Sequence, residues 1–131
     1  MVIVDTTVWV DYLRGDDNNE TLWLERELQR QRFALTDLIL CEVLQGIKNQ
    51  NAVAQVQANL SQFHVFETGG VDLAVASAWN YRKLREAGYT VCKTIDCLIA
   101  TFCLRHGHRL LHRDRDFDPF ETVLGLSVVH P

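Results

Sequence analysis

Carboxylates set among apolar residues are the chemistry-bearing feature of this chain. Asp5 ends the run Met1-Val2-Ile3-Val4, and Glu42 lies inside Leu38-Ile39-Leu40-Cys41-Glu42-Val43-Leu44. Asp96 lies inside Ile95-Asp96-Cys97-Leu98-Ile99-Ala100, and Asp114 and Asp116 follow Leu110-Leu111. Placing a carboxylate among core residues is costly unless a partner compensates it. Converging acids also repel: two unit charges about 4 Å apart cost ~4 kcal/mol at an effective dielectric of about 20. Protons or a divalent cation must relieve this. A donor set made only of oxygens suits Mg²⁺ or Mn²⁺ rather than zinc or copper. Such a cation can acidify and orient a water and neutralise charge on a phosphodiester. Taken singly, each acid has a plainer role. Asp5 can cap a helix, Glu42 can sit at the surface, and Asp96 can favour a helix N-terminus. Asp116 and Asp118 can build the turn before Pro119, and Asp11 reads as solvated surface. Only together do the acids call for a shared cation.

The elements that must position them alternate between short strands and helices. Val2 to Val4 is a buried parallel strand, and Thr7 to Leu13 a short helix halted near Gly15. Asn19 or Glu20 to Gln31 is a helix with Leu22, Trp23 and Leu28 turned inward. Phe33 to Leu35 is a strand ending at Thr36-Asp37. Leu38 to Lys48 is helical, with Leu40, Val43, Leu44 and Ile47 at helix spacing. A helix over Ala52 to Leu60 and a strand over Phe63 to Phe66 follow, and Gly69-Gly70 breaks the strand. Val71 to Ala87 is the longest helix. Its apolar stripe is Val71, Ala74, Val75, Ala78, Trp79 and Leu84, and Gly88 stops it. Thr94 caps a helix over Ile95 to Arg105. Arg109 to His112 and Leu126 to Val129 are the last strands. This alternation predicts an α/β fold with a mainly parallel sheet. Sites in such sheets form beyond the carboxyl ends of strands, so Asp5 and Asp114 belong at one edge. Asp96 falls in the first turn of its helix, off the stripe of Ile95, Leu98, Ile99 and Phe102.

The chain has 131 residues, 47% of them hydrophobic, which fits one domain spanning residues 1–131. No stretch approaches the roughly 18 apolar residues of a membrane span, and the N-terminus carries no signal-peptide pattern, so the expected location is the cytoplasm. The four cysteines form no C-x-x-C pair; three lie in apolar helical patterns, where free Cys behaves as a small hydrophobe, and a disulfide framework is not expected. Cys103, His106, His108 and His112 match no standard zinc spacing. A net charge of −4 excludes a broadly basic nucleic-acid binder.

The segments Asp5-Thr6-Thr7-Val8-Trp9, Leu40-Cys41-Glu42-Val43-Leu44-Gln45-Gly46, Thr94-Ile95-Asp96-Cys97-Leu98-Ile99-Ala100 and Asp114-Arg115-Asp116-Phe117 together resemble the PIN domain. Within that superfamily the chain is similar to the VapC-type toxins of prokaryotic type II toxin–antitoxin systems. The motifs span nearly the whole chain in the family's order. The resemblance implies a three-layer α/β/α fold and a Mg²⁺- or Mn²⁺-dependent endoribonuclease. It also implies a homodimer, a VapB-type antitoxin as partner, and tRNA or rRNA as substrate. By the family pattern Asp5 and Asp96 are the firmest metal ligands. Glu42 and Asp114 complete the acidic pocket, Asp116 is a possible helper, and Thr7 is a supporting hydroxyl. One departure is His112, which stands where the family often has Thr.

Lys48, Lys93, Arg113 and Arg115 neighbour the acids in sequence and are candidates for phosphate contact, with ordinary surface charge as the alternative. An antitoxin Arg inserted among Asp5, Glu42, Asp96 and Asp114 would block the cation. Its apolar segment is expected near Trp9, Leu13 and the helix after Asn19. Two rival functions remain open to the sequence. One is a non-catalytic RNA- or partner-binding module on the same fold. The other is a phosphatase of the haloacid-dehalogenase type, which would need a second Asp where this chain has Thr7.

Overall fold

In the computed structural model, which describes residues 1–131, four parallel strands form one sheet in the order β3-β2-β1-β4. These are β1 (Val2–Val4), β2 (Phe33–Thr36), β3 (His64–Phe66) and β4 (Arg109–Leu111). The unbroken apolar run of β1 suits its place between β2 and β4, where every residue is buried. From β1 the chain steps outward to β2 and β3, then crosses back to β4. Right-handed crossovers put the helices of the outward steps on one face of the sheet and those of the return on the other. The first layer holds α1 (Thr6–Arg14), α2 (Asn19–Glu27), α3 (Asp37–Gln45) and α4 (Val53–Leu60). The return passes through α5 (Val71–Glu86) and α6 (Thr94–His106), and α7 (Asp118–Leu124) follows β4. The fold is thus the expected three-layer α/β arrangement. No helix is long and apolar enough to cross a membrane.

Several local expectations are corrected. The segment before the C-terminus is not a strand. Only Val128 bridges to Leu110, through Leu110 N–H to the Ser127 carbonyl and Val129 N–H to the Leu110 carbonyl. Leu22 is exposed, and α2 buries Thr21 and Leu24 instead, with Trp23 edge-on to Phe33. Lys93 occupies the cap position of α6 and Thr94 is already helical. α3 buries Val43, as the spacing implied, but pairs it with Ile39, while Leu40, Leu44 and Ile47 are only half-buried.

The largest correction concerns the two helices of the return crossover. α6 has no stripe: Asp96, Cys97 and every residue from Ile99 to Cys103 are buried, because it is enclosed by the sheet, α5 and the turn after β4. α5 turns the opposite way from its apolar stripe. It buries Leu73, Ser77 and Leu84, of which only Leu84 was expected inside. Hydrogen bonds fix this choice. The Asn80 amide donates to the Thr101 hydroxyl at 3.0 Å, and the Cys97 thiol donates to the Ser77 carbonyl at 3.3 Å. Small and polar side chains let α5 lie close on α6, and Val71, Val75 and Trp79 are left in solvent.

Candidate metal centre

Asp5 leaves β1 held on both sides of its backbone. Its N–H donates to the Leu111 carbonyl at 2.9 Å, which carries the β1–β4 ladder one residue further. Its side chain caps α1: Oδ2 accepts the Thr7 N–H at 3.1 Å and the Thr7 hydroxyl at 2.7 Å. The capping role and the acidic role therefore coexist, one per oxygen. Oδ1 is buried and makes no hydrogen bond. The residue is 2% exposed, and burial pushes its carboxyl up to about 6 despite the Thr7 bonds, with the Glu42 charge adding to the rise.

Asp96, 4% exposed, occupies the first turn of α6 and likewise has a buried oxygen, Oδ2, without a partner. A helix N-terminus favours its anion by about 0.3–1 kcal/mol. Burial outweighs that, and with repulsion from Asp5, Asp114 and Glu42 it raises the carboxyl to about 7, while Lys93 pulls the other way. The charges of Asp5, Glu42 and Asp114 therefore all bear on Asp96 at the carboxyl edge of the sheet. One oxygen each of Asp96, Asp114 and Asp116 also lies within 4.8 Å of the others.

The supports of the outer acids were less visible in the sequence. The Thr6 hydroxyl donates to Glu42 Oε1 at 2.8 Å, tying α1 to the middle of α3. Thr7 does more than hold Asp5, since its hydroxyl also accepts the Arg113 N–H at 3.1 Å and so fixes the turn that carries Asp114. Asp114 Oδ1 accepts the Asp116 N–H at 2.9 Å and caps the short 3₁₀ turn Arg115–Phe117. The Asp114 N–H donates to Nδ1 of His112 at 3.1 Å. With Nδ1 accepting, the imidazole proton resides on Nε2, which is buried and unpartnered. Burial lowers the pKa of His112, and its ring packs 4.9 Å from that of Phe117. His112 is thus a hydrogen-bond acceptor inside the turn. Cys103, fully buried, feels the charge of Asp5, and burial raises its thiol to about 12, so it is no anionic ligand.

The basic candidates differ in their surroundings. The Arg113 guanidinium is engaged by Asp11 at 2.7 Å and Glu20 at 3.1 Å. Asp11 is therefore a half-buried partner, also accepting from the Asn18 amide, and not the solvated residue expected. Lys48, Lys93 and Arg115 are exposed. Trp9 is buried against Tyr12 and Phe63 and offers no surface to a partner. Leu13 does, in a groove with Val10, Val43, Gly46, Ile47 and Val56, between α1, α3 and α4 and away from α2.

The donors at this edge are carboxylate oxygens. Two of them are buried without any hydrogen bond, and their acids are raised toward neutrality. That set fits a hard divalent cation, which would take oxygen ligands and relieve the repulsion. The fold and this acidic centre are those of a metal-dependent nuclease class. The PIN-domain profile matches residues 2–121, and the chain belongs to the PIN-domain family and, within it, to the VapC ribonucleases. Ribonuclease VapC11 of Mycobacterium tuberculosis is 32% identical over 129 residues, covering 97% of this chain and 96% of that one. Among solved structures, VapBC2 from Rickettsia felis, bound to a DNA fragment from its promoter, has a TM-score of 0.78 at 16% identity, covering 98% of each chain. FitAcB from Neisseria gonorrhoeae has a TM-score of 0.77 at 18% identity, covering 100% of this chain and 98% of that one.

Proposed function

We propose that this chain is the toxin of a type II toxin–antitoxin pair, a metal-dependent endoribonuclease acting as one domain over residues 1–131. The observation that carries this reading is the pair of buried, unpartnered oxygens on Asp5 and Asp96. Mg²⁺ or Mn²⁺ is the cation best suited to them, held by Asp5 and Asp96 with Glu42, Asp114 and Asp116 around it. When bound, the cation supplies Lewis acidity for water and for the charge that develops on the phosphodiester. The chain's own residues do the rest. Thr7 holds Asp5 and the Asp114 turn in fixed relation, and Thr6 holds Glu42. Glu42 or Asp114, the less buried acids, would orient the attacking water. The substrate is RNA, with tRNA or rRNA loops favoured because their bases can be splayed out. Lys48, Lys93 and Arg115 are exposed and suit phosphate contact, whereas Arg113 is committed to Asp11 and Glu20.

The partner is a VapB-type antitoxin. The groove between α1, α3 and α4 would take its apolar segment, with Arg14 and Lys48 at the rim. An antitoxin Arg would enter the acidic centre in place of the cation. The toxin itself works as a homodimer in the cytoplasm. A phosphatase is not favoured, since Thr7 stands where its second Asp would be, and a binding module gives no reason for raised, converging carboxylates.

The test is RNA cleavage by the purified chain with Mg²⁺ or Mn²⁺, with EDTA, and in Asp5→Asn and Asp96→Asn. Cleavage should need the metal and fall by at least about a hundredfold in either variant, as expected for loss of electrostatic stabilisation. p-Nitrophenyl phosphate should not be turned over. Cleavage that persists in EDTA, or at wild-type rate in both variants, would overturn the reading.

A further inference from the structure

The two edges of the sheet carry opposite charge. The carboxyl edge holds Asp5, Glu42, Asp96, Asp114 and Asp116, which repel a polyanion until a cation is bound. At the amino edge, Arg32 precedes β2 and Arg109 opens β4, on either side of the start of β1. Both are exposed, and the ion pairs of the chain all lie elsewhere. With Gln31 and Gly107 they line an open depression of about 410 Å³ that no carboxylate lines. By contrast, Arg82 and Arg85 near the end of α5 share their hollow with Glu86. A row of rings adjoins the depression. Gly107, at φ 68°, ends α6 in a left-handed turn between His106 and His108. The two imidazoles lie with their planes 30° apart and their centroids at 6.2 Å. Phe102 backs both, at 4.6 Å from His106 and 5.7 Å from His108. His106 is exposed and His108 half-buried, and burial lowers the pKa of His108, so it adds a ring face rather than a charge.

We propose that the amino edge is a second RNA-binding site, remote from the metal centre. Arg32 and Arg109 take phosphates of a single strand, and the exposed face of His106 takes one of its bases. The inference rests on the ribonuclease reading for the identity of the polymer and adds a place where the substrate is held away from the cleaved bond. Guanidinium forks match phosphate oxygens. Cations beside aromatic faces are the means by which single strands are held with little regard to sequence. An acidic peptide would use the two arginines but gain nothing from the ring row, so the nucleic acid is the better occupant. Met1 and Asp5 stand at opposite ends of β1, about 13 Å apart at roughly 3.3 Å per residue. Only a substrate of several nucleotides reaches both edges, and the site therefore favours long RNA over short fragments. It also gives a chain of net charge −4 a positive surface on which to meet a polyanion.

The experiment measures binding of a labelled uridine oligonucleotide of about 16 residues to the untagged full chain, by fluorescence anisotropy in EDTA, where nothing is cleaved. Arg32→Gln with Arg109→Gln should raise the dissociation constant about tenfold or more, and the slope of log K against log salt should flatten by about 1.4, for two phosphate contacts at about 0.7 each. His106→Ala should weaken binding about fivefold or more, the loss of one stacked base. With Mn²⁺ and bulk tRNA, the same variants should raise KM and leave kcat unchanged. Binding and salt slope that stay at wild-type values in the double variant and in His106→Ala overturn the site. If the double variant fails to fold, His106→Ala decides, because its side chain is in solvent. A fall in kcat with KM unchanged overturns the proposal too, since the residues would then act on the acidic centre. Poly-glutamate that displaces the oligonucleotide as well as unlabelled oligouridine does would assign the patch to acidic protein and overturn the RNA site. Loss of binding in the variants, with a wild type that cleaves no RNA in Mn²⁺, leaves the site standing and refutes the ribonuclease reading instead.

Discussion

Replacing Asp96 by Asn should stabilise the metal-free protein, and the gain should depend on pH in a definite direction. Burial, with repulsion from the neighbouring acids, holds the Asp96 carboxyl at about 7, against an ordinary value of 3.8. A tenfold change in an ionisation constant corresponds to about 1.4 kcal/mol, so ionising this residue in the fold costs about 4 kcal/mol taken alone. Asp5, raised to about 6, shares part of that cost, because removing one charge relieves the other. A net gain of about 2–4 kcal/mol for Asp96→Asn at about pH 8 follows. The sign is set by linkage. A carboxyl whose folded pKa lies above its unfolded value favours the folded state while protonated. That contribution is intact below about pH 4 and is lost as pH rises through about 6 and 7. Wild type in EDTA should therefore lose stability between about pH 4 and about pH 8, and Asp96→Asn should lose much less. The two should agree near pH 4, where both side chains are neutral and nearly the same shape. Urea unfolding at several pH values in EDTA measures this directly. A variant no more stable than wild type at about pH 8, or a wild type equally stable at both ends of the range, would refute the account of the acidic centre.

Three further outcomes follow from the same geometry. Mg²⁺ or Mn²⁺ should raise the melting temperature of wild type, by ~2.7 kcal/mol of stabilisation at a hundred times the dissociation constant, and the shift should shrink in Asp5→Asn. Thr6→Val removes the 2.8 Å bond to Glu42 at a half-buried position. It should cost about 1 kcal/mol of stability in urea melts and lower the cleavage rate by releasing Glu42. His112→Phe keeps the ring against Phe117 but removes the acceptor for the Asp114 N–H. It should reduce cleavage and weaken Mn²⁺ binding by calorimetry, whereas His112→Thr, which restores an acceptor oxygen, should recover part of both.

Some of this was legible in the residues. The run Val2-Ile3-Val4 has no polar face, which only a strand buried on both sides can use, and Asp5 marks where it ends. A charge in the first turn of the apolar helix Ile95 to Ala100 can alone serve the helix N-terminus, and only the other acids made it a candidate ligand. What could not be read was what covers each surface. Periodicity finds an apolar stripe on α5, but it cannot tell a stripe that faces the molecule's own core from one that faces outside. The deciding contacts, Asn80 with Thr101 and Cys97 with Ser77, join residues about twenty positions apart. Thr6 with Glu42, and Arg113 with Asp11 and Glu20, are farther apart still. These are tertiary pairings between polar side chains that leave no local pattern.

The order of strands has a consequence for how the protein comes into being. β1 leaves the ribosome well before one of its two neighbours, β4, with Val2 pairing to Arg109. Closing a contact of that length is slow and comes late in folding. The Asp5 N–H finds its Leu111 acceptor, and Thr7 its Arg113 donor, only after that closure. Asp114 does not exist until then. A nascent or truncated chain lacking the segment after Gly107 therefore carries Asp5, Glu42 and Asp96 without the strand that registers them. During its own synthesis, surrounded by ribosomal and messenger RNA, such a chain has no assembled centre with which to cut.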